Sequence, residues 1–124
     1  MTPRFPCGVI PTARKSQRKA ADGERELAAL LREYGYPVER GGSLSFGEVP
    51  DLSGLPGVHI EVKRVERLNV PEAMKQAMRD ADKFHDGAPT LFHRRSREPW
   101  LVTMRLQDWI SLYDRQKTAE TAGD

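Results

Sequence analysis

Apolar residues along the chain change their period several times, and each change marks an element. Across residues 19–34, Leu27, Leu30, Leu31 and Tyr34 recur three and four apart, the spacing that places them on one stripe of a helix. Gly35 ends that helix. A short strand is predicted over 38–40, followed by a Gly41-Gly42-Ser43 loop. Strands are also predicted over 48–52 and 58–65, joined as a hairpin by the turn residues Ser53-Gly54-Leu55-Pro56-Gly57. Within the second of these, Val58, Ile60 and Val62 point to one face and His59, Glu61 and Lys63 to the other.

Pro71 suits the first turn of a second helix, which runs to about His85. Its buried face would carry Ala73, Met74, Ala77, Met78, Ala81 and Phe84. Two further strands, 90–94 and 100–104, flank a charged turn over 95–99. Leu106, Trp109, Ile110 and Tyr113 stripe a final helix. The resulting order, α-β-β-β-α-β-β-α, predicts an α/β fold: a mixed central β-sheet flanked by packed helices.

Composition narrows the setting. The 124 residues suit one domain, expected over 17–115. Residues 1–16 hold three prolines and a basic cluster without periodicity and read as a flexible arm; residues 116–124 read as a disordered polar tail. No apolar run reaches the ~20 residues of a bilayer span, and no secretory signal opens the chain. Cys7 is the single cysteine, so no internal disulfide forms, and no Cys/His cluster has zinc spacing. A reducing, cytoplasmic location without membrane association is expected.

The formal charge is only +2, but the cations cluster: Arg14, Lys15, Arg18 and Lys19; Lys63, Arg64 and Arg67; Arg94, Arg95 and Arg97. Such groups suit a polyphosphate partner, because each neutralised phosphate releases counterions. Charge patterning alone does not separate that from ordinary solvated faces.

The chemistry is concentrated in Pro50-Asp51 and Glu61-Val62-Lys63. Alternation along a strand puts Glu61 and Lys63 on one face while Val62 turns to the core. A hairpin would bring Asp51 beside Glu61. Two carboxylates a few ångströms apart suit Mg²⁺ or Mn²⁺, hard ions that keep several waters and accept phosphate oxygens. An ammonium two residues from Glu61 would meet the phosphate charge the ion does not cover. Without the metal, the same pair is an exposed strand-edge ion pair worth under ~1 kcal/mol.

The stretch from Lys19 to Trp100 resembles the archaeal-type Holliday junction resolvases and related phage endonucleases of the PD-(D/E)xK superfamily, whose fold is restriction-endonuclease-like. The residues that carry the resemblance are Gly23-Glu24-Arg25-Glu26-Leu27, Tyr36-Pro37-Val38-Glu39-Arg40, Pro50-Asp51, Ile60-Glu61-Val62-Lys63-Arg64 and Gln76, with a late strand from Trp100. It implies a metal-dependent endodeoxyribonuclease, using Mg²⁺ with Mn²⁺ able to substitute. The expected partners are a second copy of the chain and four-way or otherwise branched DNA.

The resemblance further implies that a first-helix glutamate joins Asp51 and Glu61 at the metal. Glu24 and Glu26 both qualify; Glu24 lies nearly in line with Leu31 at the edge of the apolar stripe and is favoured, leaving Glu26 as a solvated helix residue. Arg40, Ser43, Arg64 and Gln76, with the basic Lys15, Arg18 and Lys19, are the expected DNA contacts. His59 reads as a strand residue at the margin of the site, and His85 and His93 carry no signal. The loop over 41–49 and the N-terminal arm depart from the compact resolvase pattern. Two alternatives remain: a nicking or restriction-like nuclease on ordinary duplex, and a non-catalytic DNA-binding module with the same fold.

Overall fold

A computed structural model describes residues 11–41 and 49–123 of the chain. The first helix, α1, spans Pro11–Glu33 and so takes in residues 11–16 of the segment read as an arm, with Lys15, Arg18 and Lys19 on its early turns. Pro11 has its φ already set for a first helical position, and Ala, Arg, Lys and Gln dominate the turns that follow. These residues favour a helix without supplying the apolar stripe by which sequence reading finds one. At the other end Gly35, at φ +98°, lets the chain turn back. Its N–H donates to the Arg32 carbonyl (2.9 Å), and the Tyr36 N–H to the Leu31 carbonyl (3.0 Å), a Schellman closure.

Two short strands follow. β1 (Glu39–Arg40) pairs antiparallel with β2 (Leu52–Ser53), Arg40 opposite Leu52. β3 (Val58–Arg64) leads into helix α2 (Val70–Phe84) and then β4 (Ala88–Arg94), which runs parallel to β3 with Glu61 opposite Leu91. β5 (Leu101–Met104) returns antiparallel on β4, and α3 (Leu106–Gly123) ends the described chain. The element order is the expected one, and the mixed three-stranded sheet has the order β3-β4-β5.

The hairpin expected between β2 and β3 does not form. β2 pairs with β1 instead, and the ladder of β3 is made with β4. β3 is instead the first strand of a βαβ unit, with α1 on one face and α2 on the other. The crossing point is tight: Ala88 N–H donates to the Gly57 carbonyl at 2.9 Å. Gly87 there has φ +133°, and a Cβ on it would lie 2.2 Å from the Gly57 carbonyl carbon. Only glycine fits.

The core lies between α1 and the sheet. Leu27 and Ala28 of α1 pack with Val38, Leu52, Ile60 and Phe92, and Leu31, Val62 and Trp100 close its border. Tyr34, expected in the α1 stripe, is 72% exposed because the Gly35 turn leaves it past the sheet. On the opposite face α2 is seated through Ala73, Ala77 and Ala81, small residues that let it lie close. Met78, expected to be buried with them, is exposed. Asn69 caps α2 by accepting from the Glu72 N–H at 3.1 Å, and His85 closes it in the left-handed conformation.

α3 differs from expectation in two ways. It remains helical through Gly123, across the segment read as a tail. Its apolar residues are also not packed on the sheet: Leu106, Trp109, Ile110, Leu112 and Tyr113 are all exposed, as are Leu101 and Val102 of β5. Trp109 and Tyr113 stack on one another at 5.2 Å between ring centroids. Among the described residues, no helix is long and apolar enough to cross a membrane.

Candidate active site

β3 is the edge strand of its sheet and carries the Glu61-Val62-Lys63 triplet in its second half. Val62 turns toward α1 and the core, so Glu61 and Lys63 face the α2 side. Glu61 is 6% exposed. Its Oε2 lies 3.9 Å from the Lys63 ammonium, which is itself part-exposed. Asp51 arrives from the β1–β2 ribbon rather than from a hairpin with β3. Its backbone carbonyl accepts from the Gly41 N–H (2.8 Å), fixing the chain just before β2 while its side chain stays open to solvent.

Asp51 and Glu61 line the same cavity of about 170 Å³, together with Val49, His59, Asp80, Lys83 and Phe84. Glu24 reaches toward this region from α1, where Arg40 donates to its Oε2 at 3.3 Å. Burial pushes the Glu24 carboxyl above its ordinary 4.5, and the nearby Asp51 charge pushes it further. The Arg40 guanidinium opposes this, while Glu61 adds a smaller upward contribution. The Glu24 carboxylate therefore feels the charges of both Asp51 and Glu61, an arrangement a divalent cation relieves.

Glu26, two residues further along α1, has a different task. Arg94 donates to its Oε1 at 2.6 Å and the Trp100 indole N–H at 3.1 Å. Arg64 Nε lies 3.2 Å from its Oε2, an ion pair without hydrogen-bond alignment. Glu26 thus ties α1 to β3, β4 and the start of β5, and is not the solvated residue expected of it. Arg64, expected on DNA, is committed to this network. Arg40 is likewise paired, to Glu24. Gln76 lies on α2 in a second depression with Lys63, Arg67 and Arg79, where cations are gathered. Ser43 falls outside the described residues, and Lys15, Arg18 and Lys19 are placed only by their position in α1.

Sequence reasoning underrated one side of the cleft. His59 is buried, not marginal. Its Nδ1 sits 2.9 Å from both oxygens of Asp86, its Nε2 sits 3.5 Å from Glu61 Oε1, and its ring stacks on Phe84. Burial pulls the imidazole pKa down, but the hydrogen bonds to Glu61 and Asp86 outweigh it and leave the group above its ordinary 6.5. Among the described residues, His59, Glu61 and Asp80 form a set whose potential ligand atoms all lie within 4.8 Å of one another. Glu24 and Asp51 stand outside that set. Asp80 was findable: it follows Ala73 by seven residues, two helical turns, and so borders the buried face of α2. Asp86 was not, because its bond to His59 spans 27 residues.

No family model and no curated protein matches the chain. Among solved structures it is similar to Hjc of Archaeoglobus fulgidus, described as a Holliday junction resolvase from an archaeal hyperthermophile. The two are 21% identical, with a TM-score of 0.49 over 69% of this chain and 72% of that one.

Proposed function

We propose that the protein is a divalent-metal-dependent DNA endonuclease that hydrolyses phosphodiester bonds in branched DNA. The observation that supports this most directly is the meeting of Asp51 and Glu61 at one cavity, with Glu24 raised by burial and by the Asp51 charge, and Lys63 beside Glu61. The donor set fits Mg²⁺, with Mn²⁺ as substitute, since it is rich in hard oxygen ligands and open to water on the Asp51 side. Asp51, Glu61 and Glu24 would hold the ion. When bound, such an ion polarises a phosphoryl oxygen and lowers the pKa of a water.

The chain's own groups do the rest. Glu61 is held in place by burial and by the neighbouring Lys63. The Lys63 ammonium is part-exposed and reaches the open side of the strand, where it can meet a phosphate oxygen or orient the attacking water. Arg40 holds the Glu24 carboxylate toward the cleft. Lys63, Arg67 and Arg79 around Gln76 form a cationic margin along which a backbone can lie. A second copy covering the exposed apolar residues of α3 and β5 gives the two-fold arrangement a four-way junction requires.

The test is cleavage of a labelled four-way junction beside a linear duplex of the same sequence, in Mg²⁺ and in Mn²⁺. The junction is cut preferentially. Glu61→Ala and Lys63→Ala abolish cutting yet still bind DNA in Ca²⁺. Equal cutting of both substrates would leave a general duplex nuclease, and binding without any cutting would leave a DNA-binding module. Wild-type cutting by Lys63→Ala would remove that residue from the chemistry.

A further inference from the structure

We propose that His59, Glu61 and Asp80 form a second cation site, one that takes a divalent transition ion such as Mn²⁺, Co²⁺ or Zn²⁺ in preference to Mg²⁺. The site shares Glu61 with the nuclease reading but does not depend on it.

The His59 ring is fixed from one side by a carboxylate. Both Asp86 oxygens lie 2.9 Å from Nδ1, so this nitrogen carries the hydrogen and donates it. The other ring nitrogen, Nε2, is the one a cation can take. It faces Glu61 Oε1 at 3.5 Å, with the two side chains only 3% and 7% exposed. A divalent ion can take the place of the proton that Nε2 would otherwise share with that carboxylate. Asp80 brings a third donor from α2, within 4.8 Å of the other two ligand atoms. The adjoining cavity of about 170 Å³ has room for an ion and the waters that complete its shell.

Two further features fit a metal. A ligating histidine typically gives its other N–H to a carboxylate, which fixes the ring and its tautomer; Asp86 does this for His59 from outside the donor set. Phe84 stacks on the ring and holds its plane. The mixed donor set gives the preference, because imidazole suits the transition ions while Mg²⁺ favours oxygen. Asp86 is a positioning residue here; His59, Glu61 and Asp80 are the ligands.

The experiment uses the full chain with Co²⁺, Mn²⁺ or Zn²⁺ added alone. In wild type, Zn²⁺ moves the ¹⁵N resonance of His59 Nε2 to the metal-bound range while Nδ1 remains protonated. Asp51→Asn retains one equivalent of Co²⁺, with nitrogen coupling to bound Mn²⁺ in electron paramagnetic resonance. His59→Gln and Asp80→Asn each lose at least tenfold in Co²⁺ affinity, and Asp86→Asn weakens it by roughly 10- to 100-fold by freeing the ring. Unchanged Co²⁺ affinity in Asp80→Asn, or a wild-type Nε2 that stays protonated at saturating Zn²⁺, would overturn the site; the second result would mean that a proton bridges His59 and Glu61. A chain that binds Zn²⁺ through His59 and cuts no DNA would keep this site and end the nuclease reading. DNA cleavage with a silent His59 would do the reverse.

Discussion

Glu26→Ala is the substitution whose cost can be worked most fully from the structure. It removes the carboxylate that Arg94, Arg64 and the Trp100 indole share at 2.6, 3.2 and 3.1 Å. Breaking a fully buried ion pair by deleting one partner costs about 3–5 kcal/mol, because the remaining charge has lost its compensation. Here the side chains are 35% exposed for Glu26, 22% for Arg94 and 23% for Arg64, so water partly replaces the lost partner. Discounting accordingly gives about 2–3 kcal/mol. For a chain of this size a kilocalorie moves Tm by roughly 3–6 °C, so the midpoint should fall by about 6–18 °C. The assay is thermal and urea unfolding followed by circular dichroism. Glu26→Gln keeps a carbonyl acceptor for Trp100 or Arg94 and should recover about half the loss. Metal-induced stabilisation should be unaltered in both variants, since Glu26 belongs to the packing of α1 and not to the cleft. A loss below about 0.5 kcal/mol, the level of an exposed ion pair, would refute the reasoning.

Three other outcomes follow from the same geometry. Glu24 has a raised pKa, so its favourable contribution is complete below 4.5 and is lost as pH rises through its folded-state value. Glu24→Gln should therefore raise the metal-free Tm at pH 7, the gain should vanish near pH 4, and Mg²⁺ stabilisation should shrink; an unchanged Mg²⁺ response would remove Glu24 from the metal. His93 has a pKa lowered by burial, so its contribution is present above 6.5 and is lost as pH falls below that value. The wild-type minus His93→Gln stability difference should decline on acidification from pH 7 to 5, and a flat difference in urea melts would contradict it. Gly87→Ala, with its Cβ forced to within 2.2 Å of backbone at φ +133°, should destabilise by on the order of 3 kcal/mol, which wild-type-like unfolding would disprove.

What the sequence revealed was mostly local. The alternation in β3 places Ile60 and Val62 toward α1 and Glu61 and Lys63 away from it, because strand geometry leaves no other choice. Gly35 and Pro71 mark a helix end and a helix start for reasons internal to a few residues. Pairing was not legible. β2 lies along β1 and β3 along β4, thirty residues downstream, and neither partnership is written in the local pattern of β2 or β3. The wheel sets Glu24 in line with Leu31 but gives no sign that Glu26 is held, because Arg64, Arg94 and Trp100, which hold it, come from three other parts of the chain. His59 reads as marginal until Asp86 and Phe84 are brought against it. The apolar stripe of α3 was visible, but a stripe does not say whether it is covered by its own sheet or left exposed.

The proposed chemistry requires that the carboxylates of Asp51 and Glu61 share a divalent ion. Anomalous diffraction from a crystal soaked in Mn²⁺ tests this directly. The prediction is a peak at about 2.0–2.3 Å from one oxygen of each carboxylate, with Lys63 alongside and not coordinated. A map with no Mn²⁺ against Asp51 at saturating metal, or with Asp51 turned to solvent while Glu61 pairs only with Lys63, would contradict it.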